Sequence, residues 1–133
     1  MSFLVLTRHT PEERVQQLCR RLDGDHEDFL NIKIDNGANN KHLTMIATSV
    51  CNSKSLERLH LEFCSDFAKR ITSEQVDVLG SMIVGSTTLK TLTCHIFFHK
   101  IKMKVNALWA RLSECHATDI NICLLYTSPS PRD

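Results

Sequence analysis

The chain has 133 residues, of which 42% are hydrophobic, so it has room for one compact domain with its own core. Sixteen Lys and Arg against fifteen Asp and Glu leave a formal charge of +1, which argues against a strongly basic surface for nucleic acid or anionic membrane. No apolar run approaches the roughly 18 residues that a membrane span needs, and the N-terminal segment is too short in apolar residues for a signal peptide.

A triplet of apolar residues with the spacing L-x-x-L-x-L recurs along the chain and predicts strands that start near residues 1, 29, 56, 89 and 117. The triplets are Met1/Leu4/Leu6, Phe29/Ile32/Ile34, Leu56/Leu59/Leu61, Leu89/Leu92/Cys94 and Ala117/Ile120/Ile122.

The segments between the triplets predict helices, because each carries apolar residues at offsets of 0, 3, 4 and 7, on one helical face. The sets are Val15/Leu18/Cys19/Leu22, Leu43/Ile46/Ala47/Val50, Val76/Leu79/Gly80/Ile83 and Val105/Leu108/Trp109/Leu112. Thr10 and Thr72 are the predicted N-caps of the first and third helices, and each has a Glu or Gln nearby to complete a capping box.

A strand and a helix of this kind cannot cover both their apolar sides alone, so the units must stack on one another. The sequence therefore predicts an α/β solenoid, with parallel strands on a concave face and helices on a convex face. We expect about four repeats and a truncated fifth.

The third repeat, LERLHLEFC at residues 56–64, matches the signature of leucine-rich repeats. With the segments 71–76 and 86–92 it resembles the ribonuclease-inhibitor-like subtype, and most of all the C-terminal repeat region of NOD-like receptors. The resemblance covers residues 1–122. His9, Gly37 and Phe97 stand where the signature has Asn or Cys, so no complete buried polar ladder is predicted.

Residues 123–133 change abruptly to a Pro/Ser composition, and CLLYTSPSPRD resembles the translation of a transposase adapter used in sequencing libraries. The alternative is a natural disordered tail. We expect residues 1–122 to be a leucine-rich-repeat fragment of a longer protein, with Met1 an internal residue.

Residue types that could bind metal are present, but they are poorly spaced. His95 and His99, with Cys94 before them and Cys115 and His116 after them, supply no second close pair for a tetrahedral zinc site. Ordinary strand and loop roles are favoured, and no metal site is predicted.

The candidate nucleophiles and the basic run also have simpler interpretations. Cys19, Cys64 and Cys94 fall on core or ladder positions, where burial explains a thiol better than catalysis does. The lysines at 100, 102 and 104 are expected to form a solvated stripe, since a nucleic-acid groove needs a wider basic face. The sequence predicts neither an enzyme nor a small-molecule cofactor.

Strand positions between the apolar ones point away from the core and would line the concave surface of a solenoid. A mixed, hydrogen-bonding strip of this kind suits a protein partner better than a small apolar ligand, although plain surface exposure is the alternative. The predicted partner-binding residues are Lys33, Asp35, Arg58, His60, Glu62, Lys90, Thr91, Thr93 and His95.

The resemblance implies a protein-binding module, namely the ligand-sensing or autoinhibitory region of a larger NOD-like receptor of innate immunity. The alternatives are an F-box-type ubiquitin-ligase substrate adaptor and a ribonuclease-inhibitor-like enzyme regulator. Scattered cysteines without a CxxC pair, and the absence of N-glycosylation motifs, favour reduced thiols and a cytoplasmic location.

Overall fold

The structure is a computed structural model that describes residues 2–24, 27–35, 37–64, 70–98, 114–115, 117 and 119–126. Strands and helices alternate along most of the chain. They are β1 (Ser2–Leu6), α1 (Glu12–Asp23), β2 (Phe29–Ile34), α2 (Asn40–Asn52), β3 (Arg58–Phe63), α3 (Ser73–Gly85), β4 (Thr91–Phe98) and β5 (Asp119–Tyr126). The helix predicted between β4 and β5 lies outside the described residues. None of the helices in these ranges is long and apolar enough to cross a membrane.

All five strands form one sheet in chain order, and every neighbouring pair is parallel. This confirms the predicted parallel ribbon with helices between its strands, since parallel neighbours need a crossover connection. The number of repeats and the curvature of the sheet stay predictions. β5 continues to Tyr126, four residues beyond the predicted end of the repeats at 122, so residues 123–126 belong to a strand.

The strands and helices share one hydrophobic core. Side chains of β2 alternate, with the even-numbered ones buried and the odd-numbered ones on the other face. On the helix side α1 packs beside α2, and α2 beside α3. The predicted helical faces are confirmed: Val15, Leu18, Cys19 and Leu22 of α1, Leu43, Ile46, Ala47 and Val50 of α2, and Val76, Leu79, Gly80 and Ile83 of α3 are all buried.

The capping box predicted at the start of α3 is confirmed. The Thr72 hydroxyl accepts a hydrogen bond from the Gln75 backbone N–H at 3.1 Å, and the Gln75 side-chain oxygen accepts one from the Thr72 N–H at 2.9 Å. These bonds satisfy two backbone donors that a helix start would otherwise leave without partners.

The cap predicted at Thr10 is wrong, because α1 begins after Pro11 and receives no side-chain cap. The Thr10 hydroxyl instead accepts from the Thr7 N–H at 2.8 Å and donates to the Val5 carbonyl at 2.9 Å. The Leu6 carbonyl faces β2, so that of Val5 faces the outer edge of the sheet. Thr10 therefore occupies part of the edge where a further strand would pair.

The pairing register departs from the predicted alignment between the second and third strands. Leu4 pairs with Ile32 as expected, but Ile32 pairs with Leu61 rather than with Leu59. The first and second repeats are thus displaced together by two residues relative to the third. Phe29, predicted in the core, lies half-buried on the opposite face of the sheet.

The displaced register places Glu27 where the next two repeats have Leu56 and Leu89, and all three residues are buried. Glu27 Oε1 accepts hydrogen bonds from Ser2 Oγ at 2.5 Å and from Arg21 Nε at 2.6 Å. Burial raises the pKa of this carboxyl, but hydrogen bonds, including those from Ser2 and Arg21, together with the charge of Arg21 outweigh burial and hold the pKa below its usual value. An ion pair therefore replaces leucine packing at the start of β2.

Leu59→Asp should unfold the middle of the chain, because it places a charge at a position only 1% exposed. We expect a loss of at least about 3 kcal/mol. Arg58→Asp is the matched control, since the Arg58 side chain is 53% exposed on the other face. Urea unfolding followed by circular dichroism measures both, and equal losses would contradict the assigned faces of β3.

Arg21→Ala should destabilise the fold by about 1–3 kcal/mol, because it leaves a buried carboxylate with fewer donors. Glu27→Leu should be nearly neutral, because it reproduces the packing of Leu56. With its pKa lowered, Glu27 stabilises the fold above its usual pKa of 4.5, and the contribution is lost as pH falls through the folded value. Wild type should therefore lose stability in acid relative to Glu27→Leu, and parallel pH profiles would refute this assignment.

Candidate functional site: the open face of the sheet

The face of the sheet opposite the helices, here called the open face, carries the outward side chains in rows set by the strand register. The first row contains Phe29, Arg58, Thr91 and Asp119; the second contains Phe3, Asn31, His60 and Thr93; the third contains Val5, Lys33, Glu62 and His95. Neighbouring members of a row lie on adjacent strands, within reach of one another.

Most of the predicted partner-binding residues are brought together on this face. Lys33, Arg58, His60, Glu62, Thr91, Thr93 and His95 occupy adjacent strands. Asp35 follows the end of β2, and Lys90 precedes β4, where its ammonium lies 3.5 Å from the Glu57 carboxylate. That they bind a partner stays a prediction.

An aromatic end of the face, formed by β1 and β2, was missed in the sequence. Phe3 is 55% exposed, and Phe29 occupies a diagonal position on the neighbouring strand. The Arg58 guanidinium lies 4.6 Å from the centre of the Phe29 ring, close enough for a cation–π contact, and 3.9 Å from the Asp28 carboxylate. Strict alternation within FLNIKI, residues 29–34, was the signal that could have placed Phe29 outside the core.

The other end of the face, on β3 and β4, is polar. The imidazoles of His60 and His95 meet edge to face, with their ring centres 4.6 Å apart. Burial lowers the pKa of His60, the neighbouring His95 lowers it further, and Glu62 opposes both effects. His60 is therefore largely neutral at pH 7. Glu62 also lies 4.0 Å from the Lys33 ammonium, in a loose ion pair.

Nothing in the described part of the chain gathers three His, Cys, Asp or Glu side chains as metal ligands. The candidate ligands His99 and His116, and the lysines at 100, 102 and 104, lie outside that part.

The candidate nucleophilic cysteines differ in their burial. Cys19 and Cys94 are buried, as predicted, and Cys64 is half-buried just after β3. Burial raises the pKa of Cys94 to about 12, with a further contribution from Cys115, and burial also raises the pKa of Cys19. A raised pKa keeps a thiol protonated and unreactive.

Two concavities lie on the helix side of the sheet. Grooves of about 520 and 420 Å³ flank α2, and Thr44 and Thr48 line both of them. None of the predicted partner-binding residues lines either groove, so the open face is a surface site.

Comparison with solved structures finds the tropomodulin C-terminal domain of Caenorhabditis elegans, at 20% identity and a TM-score of 0.52. The alignment covers 82% of this chain and 62% of that one, so this chain spans less than two thirds of that neighbour's length. No family model and no curated protein matches the sequence. At such low identity the likeness shows the fold alone, and with the parallel sheet it supports a leucine-rich-repeat-like α/β fold.

Cys94 should resist alkylation in the folded chain, while Cys64 should react, because only Cys64 has solvent access. Brief treatment with iodoacetamide at neutral pH, followed by peptide mass spectrometry, measures the two rates. Denaturation in urea is the control, since it should equalise them. Faster labelling of Cys94 in the folded chain would contradict its burial.

Proposed function

We propose that this chain is a protein–protein interaction module that holds its partner on the open face. The observation that carries the proposal is the aromatic end: Phe3 is largely exposed, and Phe29 lies beneath the Arg58 guanidinium. Aromatic and arginine side chains supply most of the binding energy in protein interfaces. The contact with Phe29 holds Arg58 in place before binding, which reduces the entropy lost when a partner arrives.

The polar part of the face suits the rim of such an interface. Asn31, Thr91 and Thr93 can donate and accept hydrogen bonds, and Lys33 with Glu62 forms a partly exposed ion pair. Protein interfaces combine an apolar centre with a polar border of this kind.

Within this proposal, we infer that the parent protein is an intracellular NOD-like receptor in which this region senses a ligand or maintains autoinhibition. The LERLHLEFC signature at 56–64 and the strand–helix repeat support the inference. The sequence of the complete transcript tests it. A nucleotide-binding P-loop module upstream is expected, whereas an F-box would overturn the receptor assignment in favour of a ubiquitin-ligase adaptor.

The interaction itself can be tested with the purified chain as bait against a displayed peptide and protein library. Phe3→Ser and Arg58→Ala should each weaken the selected binders by about tenfold or more, since both remove an interface anchor.

Arg20→Ala is the matched control, because Arg20 is exposed on α1 and its loss should leave binding unchanged. Circular dichroism confirms that each variant is folded. Binders that survive both open-face substitutions but fail with Arg20→Ala would place the interaction on the helices instead.

A further inference from the structure

Two histidines contact each other between β3 and β4 on the open face. His60 and His95 stand diagonally on these strands, with their ring centres 4.6 Å apart. No hydrogen bond or ion pair within the described ranges joins either ring to a carboxylate. A carboxylate has two oxygens, so one carboxylate could accept a hydrogen bond from each of two neighbouring imidazoles.

The charged groups around the pair are nearly balanced. From β3 the pair is flanked by Arg58 and Glu62, from β2 by Lys33, and from β5 by Asp119, while Thr91 and Thr93 of β4 are uncharged.

Asp35, at the end of β2, and Asp28, whose carboxylate lies 3.9 Å from the Arg58 guanidinium, bring the described charges near the face to two cations and four carboxylates. With neutral imidazoles the face is therefore slightly negative. Protonation of both rings would cancel this negative charge, so the pair controls how strongly the face repels an acidic segment.

We propose that the His60–His95 pair receives a carboxylate from the protein partner, so that the open face binds an acidic segment and takes up protons as it does so. This inference rests on the proposed function, because it names the chemistry of the partner at the same face.

The direction of the pH dependence follows from linkage. In the free chain the pKa of His60 lies below its usual value of 6.5, because burial and the second ring disfavour the charged form. A bound carboxylate favours the charged form and raises that pKa, so binding takes up protons. Affinity for an acidic segment should therefore rise as pH falls through the region of the histidine pKa.

The probe is a capped five-residue peptide that carries one aspartate and one glutamate separated by valine. Its affinity for the full chain should increase about fivefold when the pH falls from about 7.5 to about 5.5. A gain of this size is expected from two exposed ion pairs. By NMR at constant pH, addition of the peptide should shift the Cε1 proton signals of His60 and His95, while that of His9 should stay unchanged.

Two controls separate this effect from general electrostatics. The same peptide with asparagine and glutamine in place of the acids should show no rise in affinity, and sodium acetate should reproduce at most a small part of the shift. The double variant His60→Gln with His95→Gln should abolish the pH dependence, whereas His9→Gln, in an exposed loop, should preserve it.

The proposal is overturned if the pH dependence persists in the double variant, or if the amide peptide binds as well as the acidic one. Unchanged His60 and His95 resonances in the wild-type chain would overturn it without any variant. None of these results would affect the library experiment, because that experiment depends on Phe3 and Arg58 and not on the histidines.

Discussion

The parallel pairing of the strands beneath a layer of helices is the constraint on which the other features depend. Every second strand residue must enter the core, because each strand can cover its apolar side only with the neighbouring helices and strands. Leu30, Ile32 and Ile34 of β2 meet that requirement. The intervening residues are thereby fixed on the other face, so core packing also determines which side chains form the candidate site.

The helices and the middle strands could be predicted because their patterns are determined locally. An offset set such as Val15, Leu18 and Leu22 fits only one face of a helix, and no distant residue is needed to recognise it. The second repeat could not be aligned correctly, because a buried Glu27 stands where the pattern requires leucine. Because Glu27 is not apolar, the sequence pattern was instead aligned on Phe29, two residues further along the chain.

A displacement of two residues preserves the side to which each strand residue points. This is why Lys33 was predicted on the correct face although the repeat was misaligned. Phe29 was predicted on the wrong face because it was assigned to the leucine position before the strand; as a strand residue three positions before Ile32, it points to the opposite side. The error at Thr10 has another cause. A threonine before a proline and two glutamates resembles a helix cap. However, β1 lies at an edge of the sheet, and the Thr10 hydroxyl donates a hydrogen bond to the Val5 carbonyl at that edge. A local sequence pattern contains no information about which strand is at an edge.

The two ends of the open face have different physical properties, and together they define what kind of binding it can support. The affinity of the aromatic end, around Phe3 and Phe29, would depend little on pH or salt, because burial of apolar surface involves no titrating group. The His60–His95 end would contribute little energy but would depend on protonation. Because Lys33 lies beside Glu62, that carboxylate is partly neutralised and opposes an acidic partner less. In such an arrangement the apolar anchor determines most of the binding affinity, while the adjacent titratable pair determines which partner is preferred.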